Sequence, residues 1–121
     1  LTLINNINFN CFIEPLFLVL YRSNKKMSKG YLIAHINIHD KEGFEKFREM
    51  SLPIISKYKG KALIRNPNPD LRAGSNSGLV IVLEFASLEH AKRFYESEEY
   101  ALAKEVREKA CSTELILVEG I

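Results

Sequence analysis

GLVIVLEFASLEHAKRFYESEEY, residues 78–100, changes its hydrophobic period part way along. From Gly78 to Phe85 the run is almost wholly aliphatic and β-branched, which predicts a buried central strand. Ser87 then supplies a helix N-cap, and Ala91, Phe94 and Tyr95 follow at helical spacing. Ser97 caps a further helix, with Glu98 and Glu99 in its first turn and Lys109 in its last, charges that suit the helix dipole.

Working outward, Tyr31 to Ile38 predicts a first strand, interrupted only by His35 and Asn37. Asp40 is an N-cap for a helix carrying Phe44, Phe47, Met50, Ile54 and Tyr58. Pro53 should kink that helix or restart it near Leu52, and Gly60 should stop it. Lys61 to Arg65 is a short second strand, and Thr113 to Val118 the last. Between them, Asn66 to Ser77 (NPNPDLRAGSNS) is long for a connection, so it is either mobile or a functional flap. The order is β-α-β-β-α-β with the second α split. That is the α+β, ferredoxin-like plan, a four-stranded antiparallel sheet with helices on one face.

Helices cover one side of such a sheet, and the alternation identifies both sides. Leu32, Ala34, Ile36 and Ile38 oppose Tyr31, Ile33, His35 and Asn37; Leu79, Ile81, Leu83 and Phe85 oppose Val80, Val82 and Glu84. The second sets mix polar with apolar groups, yet Ile33, Val80 and Val82 are too apolar to face water. A homodimer stacked through the sheet faces follows from the pattern.

The composition of the 121-residue chain, 46% hydrophobic and 26% charged, suits one globular domain. The net charge of +2 resides in residues 1–26, which hold Arg22, Lys25 and Lys26 against Glu14, while residues 27–121 are neutral. A neutral domain is a poor candidate for counterion-release binding, so no nucleic-acid partner is expected. Cys11 and Cys111 form no CxxC pair, which argues against a disulfide framework and for a reducing, cytoplasmic setting.

Residues 1–26 differ from the rest. Their apolar run, Cys11 to Tyr21, contains Glu14 and Pro15 and is too short to span a bilayer. Charge follows the run rather than preceding it, unlike a secretory signal, so no membrane partner is expected. We expect 1–26 to be a non-native or disordered N-terminal extension, with Met27 the natural start of a single domain over 27–121. The alternative is an amphipathic extension that packs on the domain or on a membrane surface.

KGYLIAHINI (29–38), ISKYKGKALIR (55–65), VIVLEFASLEHAKRFYESEEY (80–100) and LILVEG (115–120) together resemble the domain of unknown function 1330 family, within the dimeric α/β-barrel superfamily. The resemblance covers Lys29 to Gly120, and its most specific part is FxSLExAxxFYxSxEY. One departure is Lys59, where similar proteins usually carry the first glycine of a Gly-Gly pair. The resemblance implies a homodimeric barrel of ferredoxin-like subunits with no assigned activity. Relatives in the superfamily include cofactor-independent monooxygenases, muconolactone isomerase-like enzymes and haem-degrading enzymes.

Candidate chemistry centres on His35, with Glu84 from the third strand and Arg65 from the end of the second expected beside it. Such a trio makes a general base with an anion clamp. The plainer alternative is ion pairing across the dimer seam. Tyr58, Tyr95 and Tyr100 lie on helices and either line a cleft or edge the core with a wet hydroxyl. Arg107 points at the same cleft or pairs on the surface. Tyr31 belongs at the rim of the mixed face, and Asn37 shares that face with His35 as a further ligand-binding candidate. His39 and His90 read as surface histidines, Cys111 as an inert thiol. No HExxH or phosphate-loop motif occurs, and no metal, flavin, haem or other cofactor is called for.

Three functions fit: a small enzyme or binding protein for a partly apolar organic molecule recognised by Arg65, a stand-alone regulatory ligand-binding module, and RNA binding. The last needs stacking aromatics on the central strands, which GLVIVLEF does not offer. Removing residues 1–26 should leave the melting temperature of the domain unchanged. A large drop in a thermal melt would contradict the reading of an extension foreign to the fold.

Overall fold

The computed structural model describes residues 28–121; the expectations for residues 1–26 and for Met27 lie outside the described residues. The elements are β1 (Gly30–Ile38), α1 (Lys41–Lys57), β2 (Lys61–Asn66), β3 (Leu79–Phe85), α2 (Leu88–Tyr95), α3 (Glu98–Ala110) and β4 (Cys111–Glu119). The strands form one antiparallel sheet in the order β2-β3-β1-β4, the ferredoxin-like topology, with β1 paired on both sides. Asp40, Ser87 and Ser97 cap the three helices by accepting from Gly43, His90 and Tyr100 N–H groups.

The core lies between helices and sheet. Leu32, Ala34, Ile36, Leu79, Leu83 and Phe85 face it from the strands, and Phe94 and Ala91 from α2. Phe85 and Phe94 are fully buried, with ring centroids 5.1 Å apart, and Phe94 stacks on Tyr100 at 4.7 Å. Helix α2 lies on β1 because residue 30 is glycine. A Cβ there would sit 2.4 Å from the Ser87 carbonyl oxygen and 2.5 Å from Leu88 Cα, so a side chain would push the helix off the sheet.

The restart expected near Leu52 and the stop expected at Gly60 are corrected. The helix runs without restarting through Pro53. The carbonyl that Pro53 leaves without its N–H partner belongs to Glu49, on the exposed side, where water can satisfy it. Gly60 is also not the residue that turns the chain. Lys59 takes the left-handed conformation, φ 60°, and donates to the Ser56 carbonyl, while Gly60 N–H donates to that of Ile55. This is a Schellman end with lysine in the place that favours glycine. The departure from the Gly-Gly pattern therefore falls on a position where a Cβ is costly.

Strand β2 carries the irregularity that matters most for the site. Ala62 pairs with Leu83 but Ile64 pairs with Val82, so Leu63 is the extra residue of a bulge. We expect Lys59→Gly to stabilise the domain by up to about 1 kcal/mol in denaturant titration, because relief of the left-handed lysine exceeds the added unfolded-state entropy. Loss of stability would contradict the strain assigned to Lys59.

Candidate functional site

The strand register sorts the side chains of the sheet into cross-strand rows. On the face that no helix among the described residues covers, one row runs Lys61–Glu84–Tyr31–Val118, the next Ile64–Val82–Ile33–Ile116, and the third Asn66–Val80–His35–Glu114. Apolar side chains thus fill the middle of an open face. Ile116 and Val118 are exposed, and Ile33, Val80 and Val82 are half-buried.

The sheet does not bring His35, Glu84 and Arg65 together. His35 stands opposite Val80, four residues along β3 from Glu84, a separation of about 13 Å. Glu84 instead accepts a hydrogen bond from the Tyr31 hydroxyl at 3.0 Å, and that bond raises the pKa of the phenol. Arg65 lies on the opposite face. Without the bulge it would stand beside Val80 in the His35 row; with it, Arg65 pairs with Ile81 and belongs to the helix-facing row of Ile81, Ala34 and Leu115.

His35 has a different set of neighbours. Asn76, from the loop before β3, places its amide nitrogen 3.2 Å from His35 Nδ1 and donates to Glu114 Oε1 at 3.1 Å. Its carbonyl oxygen accepts from Asn37 Nδ2 at 3.1 Å and from Gly78 N–H at 3.4 Å. One asparagine therefore ties the returning end of the long loop to three polar side chains on the edge of the open face. Glu114 was legible as a cross-strand neighbour from the alternation of CSTELILVE; Asn76, in an irregular loop, gave no signal.

The second constellation lies on the other side. A cavity of about 310 Å³ opens between the helices and the sheet. Its walls are mostly aliphatic and aromatic, from Ile81, Leu83, Leu115, Phe44 and Phe94 among others. Among the described residues, the charged ones in its lining are Arg48, Arg65 and Arg107, and none is acidic. β2 is exposed throughout, which leaves the cavity mouth on that edge, beside Ile64, Arg65 and Leu52.

Three of the residues expected at a cleft meet here. Arg107 is buried at 4% exposure and donates to the Tyr100 hydroxyl at 2.9 Å and the Tyr95 hydroxyl at 3.4 Å. Its guanidinium carbon lies 6.0 Å from the centre of the Phe47 ring. Burial pulls the guanidinium pKa down, and the two tyrosines more than offset that pull. Burial pushes Tyr100 up to about 12, so its hydroxyl is neutral at any physiological pH. Tyr95 stacks on Tyr100 at 5.2 Å. Tyr58 stands apart at the end of α1, donating to Glu99 at 3.5 Å, and neither it nor Tyr95 belongs to the cavity lining. Cys111 is buried, and that burial raises its thiol pKa.

Among the described residues, no helix is long and apolar enough to cross a membrane. No functionally curated protein matches the chain. Several solved structures share the fold. A protein of unknown function from Rhodopseudomonas palustris is similar at a TM-score of 0.66 and 14% identity, over 91% of this chain and 95% of its own. SnoaB, a cofactor-independent oxygenase from Streptomyces nogalater, is similar at 0.57 and 8% identity, over 78% of this chain and 94% of its own. A dimeric protein of unknown function with a ferredoxin-like fold, from Bacteroides fragilis, is similar at 0.51 and 15% identity, over 76% and 96%. Residues 29–121 match the family of the domain of unknown function DUF1330, and the chain belongs to that family.

Proposed function

We propose that the protein is a homodimer, joined through its open sheet faces, that binds a small and mainly apolar organic molecule in the cavity between helices and sheet. The cavity carries this reading. A space of about 310 Å³ with apolar walls and a few convergent polar groups has the size and character of a ligand pocket rather than a packing defect. The exposed apolar middle of the open face supports the dimer, and a protein of similar fold is dimeric.

The same lining bears on catalysis. Tyr100 stays protonated, and among the described residues the cavity wall holds no carboxylate or imidazole to take up a proton. Binding is therefore favoured over general acid–base chemistry. The alternative, a cofactor-independent enzyme, is supported by the three arginines, which would stabilise a negative charge developing on a bound substrate.

The fluorescent probe 1-anilinonaphthalene-8-sulfonate, apolar with one acidic group, should bind the folded protein saturably. Leu115→Phe places a larger side chain in the cavity wall, with an expected stability change of about 1 kcal/mol or less because the space accepts it. It should weaken probe binding at least tenfold. Equal probe affinity in a variant with an unchanged melt would place the probe elsewhere and remove the cavity from the proposal.

A further inference from the structure

We infer that the cavity takes its ligand as an organic acid, whose carboxylate is received by the Arg107 guanidinium. The inference rests on the cavity-binding reading above and names the chemistry of the group that the cavity holds.

Arg107 is an unusual cation for a domain interior. A guanidinium at 4% exposure ordinarily faces a carboxylate, since an uncompensated buried charge is costly. Ion pairs among the described residues join Arg48 to Glu45, Lys57 to Glu99 and Arg72 to Asp70; none includes Arg107. Its terminal nitrogens donate to two neutral tyrosine hydroxyls, and its Nε–H, itself shut off from solvent, has no acceptor among the described residues, so the guanidinium charge is left without a carboxylate. Tyr100 is no substitute for an anion, because the same burial keeps it protonated.

Position supplies the second observation. Arg107 belongs to the wall of the cavity, not to a sealed layer of core. The two tyrosines and the Phe47 ring fix the guanidinium by hydrogen bonding and stacking, so it is ordered before a ligand arrives. A planar donor fork held in an apolar, acid-free space matches a carboxylate attached to an apolar body. Arg65 stands at the exposed edge of the same lining, where its charge draws anions toward the mouth.

The test uses naphthalene-2-carboxylate and naphthalene-2-carboxamide, which share shape and differ in charge, in calorimetric titrations of the whole protein. The acid should bind roughly 10- to 100-fold more tightly than the amide, the advantage of a hydrogen bond to a charged partner. Arg107→Met should abolish that preference and leave amide affinity within about twofold of wild type, because methionine keeps the apolar wall. Equal binding of acid and amide to wild type, or equal loss of both in the variant, would overturn the inference while the cavity reading stood. Binding of neither compound would remove both. Should Arg107→Met fail to fold, nitrogen-15 NMR of the wild type decides. The Arg107 Nε–H signal should move on adding the acid and hold still on adding the amide, and an unmoved signal with bound acid overturns the assignment.

Discussion

A four-stranded sheet with a single layer of helices has one face too many, and the rest of the structure follows from that constraint. Strand side chains alternate, so the sequence that fills the core face with Leu32, Ala34, Ile36, Leu79, Leu83 and Phe85 also sends Ile33, Val80, Val82 and Ile116 the other way. These strands are read from both sides by apolar contacts. One side is met by α2 and α3 within the chain; for the other, the proposed homodimer would supply an identical sheet, with the same apolar middle between the same polar rows.

The core side has its own incompleteness. Helices α2 and α3 lie over β1, β3 and β4, while α1 packs mainly on α3. The edge strand β2 is left exposed on both faces, and the cavity forms beneath that gap. Phe94 and Tyr100, members of the aromatic stack that begins at Phe85, belong to its lining. Beside them Arg107 sits among rings and hydroxyls, a charge the fold tolerates without neutralising. Local sequence rules are broken most often where a site needs them broken, and a buried cation facing an apolar space is such a breach.

The fold was largely legible because its signals are periodic: the change of period after Phe85, the caps at Asp40, Ser87 and Ser97, and the alternation in β1 and β3. The site was less so, because it depends on one irregularity. Read as a regular strand, KALIRN puts Arg65 on the His35 face; the bulge at Leu63 reverses everything after it and sends Arg65 to the cavity. The separation of His35 from Glu84 along the strands was likewise a matter of register, which no single strand specifies. Asn76 was invisible for another reason: its contacts join a long loop to β1 and β4, across 38 residues or more of sequence. Arg107 and Tyr100 were readable as helix residues near a cleft, but not as partners with an unfilled donor between them. The Lys59 turn shows the converse, a departure from the family pattern whose cost became clear only from its backbone angle.

The most direct measurement is native mass spectrometry of the wild-type domain beside Ile116→Glu, which sets a charge in the apolar middle of the open face. The wild type should be a dimer and the variant a folded monomer, since the altered side chain lies outside the core. A monomeric wild type, or a variant that stays dimeric, would contradict the assembly of this fold through its open sheet.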